Sequence, residues 1–494
     1  MNVLEAFDGP FAAWRGDSDW RPWRVFLKAL TATPLDPDER ALFQRCTGRT
    51  AEFEAPPSEA WVVVGRRGRK SAVAAMIGVH AAAFVDWSSC LAPGETARVL
   101  LVAVDKTQAK IVRSYAEAIL RSHPRLEALV EATDAESITL ANGVTIICVA
   151  NNFRSIRGPA VVTAIFEELA FWRSDESANP DKEVLRAVRP SMLTTRRHGA
   201  LLIGLSSPYA KRGLLYEKHR DHHGDDASRV LVWQADTQTM NPAADADEIA
   251  EAYRDDPQAA AAEYGAQFRD DLQTFLDADL LAGLTRGSPA ELPPRPGIEY
   301  RAFVDPSGGR GDAMTLAVAH LDDGRAVLDV VRATRPPFDP AAVVENYAAL
   351  IHEYHLAEVT GDAYSAEWVA AAFKERGVRY LTSPLNKSAI YLEALPLFTR
   401  GEVELPPDRL LLTELAQLER RTARGGRDSV DHPPRAHDDT ANAACGALVE
   451  AARAARRKTQ IVVPGGAEKS RSMYPDPHGS AVLVGGGRTN GADW

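Results

Sequence analysis

From residue 61 onward the chain alternates short, continuously apolar runs with longer amphipathic stretches. The runs WVVVG, ARVLLVAV, VVTAIFEE and GALLIGLSS read as strands apolar on both faces, and SAVAAMIGVHAAAFVDW between the first two carries a helical repeat. Strands of that kind separated by helices predict a mostly parallel sheet covered on both sides, an α/β fold. ITLANGVTIICV predicts a hairpin whose turn sets both Asn142 and Gly143 at positive φ. Ahead of this region Trp14, Trp20 and Trp23 stand among charges, followed by the turn-forming TPLDPDER and the helical ALFQRC. Residues 1–60 are therefore expected as a helical lead-in packed on the first domain.

The alternation stops at residues 285–299 (TRGSPAELPPRPGIE), where four prolines and two glycines mark a linker. Beyond it come three consecutive strand-like runs (YRAFVDP, AMTLAVAH, RAVLDVVRA), a helix near 340–355, a strand ending in VTGD, a helix near 365–376 and the strand VRYLTSP. That order predicts a second α/β domain with a mixed sheet, in the strand order of a ribonuclease H-like fold. The expected organisation is a first domain over 1–284, the linker, a second domain over 300–458 and a flexible Gly-rich tail over 459–494.

Composition changes this picture little. A chain of 494 residues exceeds what one core usually supports, in keeping with two domains. Cys46, Cys90, Cys148 and Cys445 form no C-x-x-C pair, which argues against a zinc site and a disulfide framework. No run approaches the roughly 20 apolar residues needed to cross a bilayer, and MNVLEAFDGPF lacks a basic segment followed by an apolar one, so no membrane partner and a cytoplasmic location are expected. The net charge of −11 argues against a simple DNA-coating protein but leaves room for local basic grooves beside acidic metal clusters.

Two constellations carry chemistry. In the first, WVVV runs through GRRGRKS into a helix, the context in which backbone amides and a helix N-terminus hold phosphates. Gly65, Arg66, Gly68 and Arg69 would shape the loop, Lys70 would neutralise phosphate oxygens and Ser71 would coordinate magnesium. The strict G-x-x-x-x-G-K-[ST] pattern is not met, because Val64 and Arg69 stand at its glycine positions and Gly65 and Gly68 are each displaced by one. About 100 residues on, the strand AVVTAIF ends in Glu167 and Glu168, a magnesium-holding carboxylate followed by one that orients attacking water, or else a solvated loop. Ser206 and Ser207 end another strand, where they would sense a γ-phosphate or simply form a turn, and Arg154 or Arg157 would serve as an arginine finger.

In the second constellation, Asp305 ends the first strand of the second domain, Asp362 ends its fourth, and Asp438 and Asp439 open a late helix. Carboxylates from three distant segments can converge on two divalent ions about 3.5–4 Å apart, as phosphodiester cleavage requires. Asp305 would bridge them, with Asp362 and either Asp438 or Asp439 completing the shells; Asp312 is a further candidate ligand. Each aspartate alone also reads as a turn or helix-cap residue. Arg420, Arg421, Arg424 and Arg427 in RRTARGGR would grip DNA phosphates beside this site or form a solvated charge run.

Together VVVGRRGRKS, IFEELAFW, GLSSPYAKRGLLYE, DPSGGRGDAMTLAVAH and HDDTANAACGA, in this order, resemble the large terminase subunit of tailed bacteriophages over about residues 40–455. The resemblance implies a P-loop ATPase of the ASCE type followed by a ribonuclease H-like nuclease. It implies ATP with Mg2+ on Lys70 and Ser71, Glu168 as the catalytic carboxylate, Glu167 in place of a magnesium-binding aspartate, and two Mg2+ or Mn2+ ions on Asp305, Asp362 and Asp438 or Asp439. Asn442 stands where such sequences often carry another acid. Double-stranded DNA, a portal protein, a small terminase subunit, a homo-oligomeric ring on the procapsid and the cytoplasm of an infected bacterial host are the implied partners and setting. A helicase-nuclease or junction resolvase of DNA repair shares both chemistries, and a non-catalytic DNA-binding assembly module is the reading from another class.

Overall fold

The computed structural model describes residues 1–16, 18–151, 160–172, 180–307, 312–362, 366–422, 428–434 and 436–461. Met1–Ala452 and Arg453–Trp494 are separate units, and all sheets and cores lie in the first. The Gly-rich tail falls almost wholly outside the described residues.

The predicted alternation builds an eight-stranded sheet from β1 (Glu59–Val64), β2 (Ala97–Ala103), β3 (Val130–Thr133), β4 (Ser137–Leu140), β5 (Thr145–Ala150), β6 (Ala160–Glu167), β7 (Leu201–Ser206) and β8 (Val230–Ala235). Their spatial order is β3-β4-β5-β2-β6-β7-β1-β8, parallel from β5 to β8, with β3 and β4 antiparallel at one end. β1 and β6 are buried along their whole length, which is why they read as unbroken apolar runs. β7 lies between β1 and β6, so the ends of all three face the same edge. β8 (VLVWQA) was not among the predicted strands; it extends the sheet beyond β1, where Trp233 packs edge-on against Phe26 of the lead-in at 5.6 Å.

The β4–β5 hairpin forms as expected, but its turn differs. Gly143 has φ +81°, whereas Asn142 is not in the left-handed region. Asn142 instead donates to Ala82 O at 2.8 Å and accepts from Val144 N at 3.1 Å, and these bonds hold the turn where a second positive φ was expected.

After a short strand β9 (Leu272–Thr274), a six-stranded mixed sheet is built from β10 (Tyr300–Asp305), β11 (Met314–Asp322), β12 (Arg325–Thr334), β13 (Glu358–Gly361), β14 (Arg379–Thr382) and β15 (Val403–Glu404). Its order is β14-β13-β10-β11-β12-β15, with β10, β11 and β12 antiparallel and β10, β13 and β14 parallel. β15 was not foreseen. β16 (Glu419–Thr422) and β17 (Asp428–Asp431) form a hairpin that pairs with β9 in a third, three-stranded sheet. The proline-rich 285–299 segment is tied down rather than loose: Arg286 Nη1 donates to Leu328 O at 2.8 Å and Leu292 N to Asp329 O at 3.0 Å.

The helix Asp439–Ile461 crosses the six-stranded sheet at Gly446, where an added Cβ would stand 2.4 Å from the buried ring of Phe303 on β10. That close approach brings the start of the helix toward the end of β10. Gly446→Val is therefore expected to lower stability by about 1–3 kcal/mol through overpacking, read as an earlier urea midpoint. Gly283→Ala, whose Cβ would meet nothing within 4 Å, is expected to leave the midpoint unchanged or slightly raised; equal midpoints for both variants would contradict the packing argument.

Candidate active sites

The loop between β1 and the helix Lys70–Ala83 uses its glycines for close packing rather than for positive φ. A Cβ on Gly65 would lie 2.3 Å from Thr237 Oγ1 and 2.5 Å from Tyr264 O, and one on Gly68 would lie 2.4 Å from Val64 Cγ1. The left-handed positions fall on Arg67 (φ +60°) and Arg69 (φ +68°). A non-glycine residue there costs on the order of 1–2 kcal/mol. At Arg69 this is offset from the lead-in: its guanidinium donates to Asp19 O at 2.7 Å and lies over the Trp20 ring at 4.6 Å. Trp23 Nε1 donates to Gly68 O at 2.9 Å. The displaced glycines thus keep a tight loop whose irregular residue is clamped by a segment expected only to cover the domain.

Lys70 is buried, and its ammonium donates to Val64 O at 3.0 Å, Gly65 O at 3.1 Å and Ser207 Oγ at 2.9 Å, with Glu168 Oε1 3.4 Å away. Ser71 Oγ donates to Glu167 Oε1 in a short contact, and Gln108 Nε2 donates to Glu167 Oε2 at 3.4 Å. Burial, and then the neighbouring charge of Glu168, push the Glu167 carboxyl up to about 7. Glu168 sits in the left-handed region at φ +52°, an unusual conformation held by Glu168 N donating to Leu205 O at 2.7 Å. Its Oε2 accepts from Ser206 Oγ at 3.1 Å and from Ser207 N at 3.3 Å. Lys70, Ser71, Glu167, Glu168 and Ser207, from three segments, therefore meet at one edge of the sheet. The residues present fit a magnesium nucleotide: an ammonium at the start of the helix that follows the loop, and a hydroxyl against a buried carboxyl whose raised protonation a cation would reverse.

A cavity of about 560 Å³, within the range usual for small-molecule sites, opens beside the loop and is lined by Arg66, Lys70, Ser71, Glu168, Arg269 and Arg421 among others. Arg66 is set there by its N–H, which donates to Glu263 O at 2.5 Å, and by Thr237 Oγ1 donating to its carbonyl at 2.7 Å. Arg154 and Arg157, the expected finger candidates, lie outside the described residues.

In the six-stranded sheet, β10 and β13 pair Phe303 with Thr360 and Val304 with Gly361, so Asp305 and Asp362 follow at adjacent strand ends. Gly361 is required there, since a Cβ would lie 2.7 Å from Val304 O. Asn442 Nδ2, from the late helix, donates to Asp305 Oδ2 at 2.9 Å, and Asn442 Oδ1 is buried without a partner among the described residues. Burial, and then the charges of Asp439, Asp438 and Asp362, push the Asp305 carboxyl up to about 8. Asp438 accepts from Tyr391 OH at 2.8 Å and pairs with Lys387 at 3.1 Å; Asp439 accepts from Ala313 N at 3.0 Å. Burial alone would lower Lys387, yet Asp438 and Asp431 hold it above its usual value.

The four expected aspartates are thus electrostatically joined, but not in one tight set. Among the described residues, groups whose ligand atoms lie within 4.8 Å of one another are Asp312, His437 and Asp439, and Asp431, His432 and Asp438. Asp438 and Asp439 fall in different groups, and neither group includes Asp305 or Asp362. Surplus negative charge and an orphaned amide oxygen fit divalent cations. Sequence reading missed Lys387, Tyr391, His432 and His437, and also Glu414, which accepts from Ala441 N at 2.9 Å and which burial pushes up to about 8. No local pattern marks these residues. The arginine-rich RRTARGGR segment also departs from expectation: Arg420 pairs with Asp428 and Arg421 lines the cavity beside Lys70 and Ser71, while Arg424 and Arg427 lie outside the described residues.

A carboxyl whose value is raised from 3.8 to about 8 on folding contributes stability that is present below about pH 4 and lost as pH rises toward 8. In EDTA, Asp305→Asn is therefore expected to match the original protein near pH 4 and to melt later than it near pH 8. Mn2+ should raise the melting point of the original protein and not that of the variant. A gap between the two proteins that stays constant from pH 4 to 8 would overturn this account of Asp305.

No family model and no curated protein matches the sequence. Among solved structures, the chain is similar to the large terminase of bacteriophage HK97, at 15% identity and a TM-score of 0.37, over 84% of this chain and 95% of that one. It is similar to the large terminase of a thermophilic bacteriophage, at 12% identity and a TM-score of 0.38, over 87% and 98% of the two chains. A third similarity, to the large terminase nuclease from thermophilic phage G20c, has 22% identity and a TM-score of 0.28, over 32% of this chain and 84% of that one.

Proposed function

We propose that this chain is a DNA-packaging motor that hydrolyses ATP to drive double-stranded DNA into a procapsid and cuts the DNA at a two-metal endonuclease site. The observation that carries the reading is the convergence of Lys70, Ser71, Glu167, Glu168 and Ser207 at one sheet edge, in the same compact unit as the Asp305, Asp362, Asp438 and Asp439 carboxylates. Residues 1–284 are the motor segment and 300–458 the nuclease segment.

Lys70 binds the phosphates in the loop that Gly65, Arg66, Gly68 and Arg69 shape. Ser71 and Glu167 hold magnesium, which supplies charge neutralisation at the phosphates. Glu168, fixed by Ser206 and the Ser207 amide, orients the attacking water and receives its proton; Ser207 joins Lys70 to Glu168. Arg154 or Arg157 is the finger, acting across a subunit boundary. In the nuclease segment Asp305, Asp362 and Asp438 or Asp439 would hold two divalent ions, which when bound would supply water activation and charge stabilisation at the leaving oxygen. A homo-oligomeric ring, a portal protein and a small terminase subunit complete the machine, which works in the cytoplasm of an infected bacterial host.

Glu168→Gln is expected to lower DNA-stimulated ATP hydrolysis by about 10²–10⁴-fold, and Lys70→Ala to abolish it, while both leave Mn2+-dependent plasmid cleavage within a few-fold. Asp305→Asn should abolish cleavage and keep ATP turnover. Loss of both activities in a folded Asp305→Asn protein would sink the division of labour, and full turnover in Glu168→Gln would sink the assignment of the water-orienting carboxylate.

A further inference from the structure

The cavity beside the phosphate loop is not built from the motor segment alone. Arg421 lines it together with Lys70, Ser71 and Glu168, and Arg421 belongs to β16, the hairpin strand that precedes the late helix. The other arginines of the cavity have fixed roles or are exposed. Arg66 faces Glu263 at 3.3 Å, Arg69 is clamped by Asp19 and Trp20, Arg269 makes paired bonds of 2.9 and 2.6 Å to Asp271, and Arg67 is exposed. The Arg421 guanidinium forms no ion pair among the described residues, and its Nε is buried without a hydrogen-bond partner. A half-buried guanidinium left unsatisfied is costly, and its fork matches a phosphate with two parallel bonds.

β16 is firmly seated. It pairs with β9 on one side, Arg421 opposite Leu272, and with β17 on the other, Arg421 opposite Ser429. Its first residue, the buried Glu419, accepts from Tyr209 OH at 2.6 Å and from Arg212. β17 ends at Asp431, which pairs with Lys387 at 2.8 Å, and the same ammonium pairs with Asp438 at 3.1 Å. One short hairpin therefore has, in the nucleotide cavity, a guanidinium near Asp271 whose Nε is unpartnered among the described residues, and a bridge to a nuclease carboxylate through Asp431 and Lys387.

We propose that Arg421 is a nucleotide-phosphate ligand supplied by the nuclease-side hairpin, so that occupancy of the motor site is read by the strand pair that positions Lys387 and Asp438. This rests on the reading of residues 65–71 as a phosphate loop. Because coupling is reciprocal, a contact made to the terminal phosphate biases the hairpin and, through it, cleavage.

The test uses the full chain with Mg2+ and the probes ATPγS and ADP. Arg421→Ala is expected to weaken ATPγS binding about tenfold to a hundredfold, to weaken ADP less, and to abolish the difference in Mn2+-dependent cleavage rate between ATPγS-bound and ADP-bound protein. Arg421→Lys, which keeps the charge and much of the stem, should restore part of the ATPγS affinity. A purely structural role would weaken both nucleotides equally and lower the melting point; that result, or unchanged affinity for both, would overturn the proposal. Lys70→Ala separates the two levels: unchanged ATPγS affinity there would mean that the phosphate-loop reading has failed, whereas lost affinity there with a silent Arg421→Ala would refute Arg421 alone.

Discussion

Glu167 ends a strand buried along its whole length, and the cost of burying its carboxyl, increased by the adjacent charge of Glu168, is what the surrounding groups must balance. Lys70 is spent on this, bonded into the loop and standing 3.4 Å from Glu168. So are the hydroxyl of Ser71 and the hydroxyl and amide at the end of β7. Those partners come from strands on the same sheet edge, which is why β7 must lie between β1 and β6. The loop that delivers Lys70 is held by Trp23 and by the Arg69–Trp20–Asp19 clamp, so the lead-in contributes to the chemistry of the site as well as to its packing.

The second sheet meets the same electrostatic problem with fewer cations. Asp305 is raised by burial and by three further aspartates, and among the described residues Lys387 is the lysine that pairs with the cluster. An amide at position 442 removes one negative charge and donates to Asp305. Tight packing of Gly446 on Phe303 and of Gly361 on Val304 keeps the late helix and the strand ends close enough for that coupling.

The two sheets do not stand independently. β9, which follows the first sheet in the chain, pairs with β16, which follows the second, and the buried Glu419 is held by Tyr209 and Arg212. Buried hydrogen-bonded acids of this kind are expensive to disrupt once formed. Here the acid ties β16 to Tyr209 and Arg212, which follow β7 of the first sheet.

Lys70, Ser71, Glu167, Asp305 and Asp362 were legible in the sequence because each is marked locally, as a polar residue at the end of an apolar run, and strand ends in an α/β fold are where chemistry collects. Fold class and most strands followed from the same periodicity. The exceptions were β3, β8, β9, β15 and the β16–β17 hairpin, most of them short. What tertiary structure alone decided is every relation between charges far apart in the chain. It decided that Arg69 is clamped from residue 19, that Lys387 and Glu414 face the start of the late helix, that Asp438 and Asp439 join different ligand groups, and that Arg421 lines the same cavity as Lys70 and Ser71. Periodicity specifies which face of an element is apolar, but a charge acquires its partner only when packing fixes distance and excludes water, and neither is written in local order.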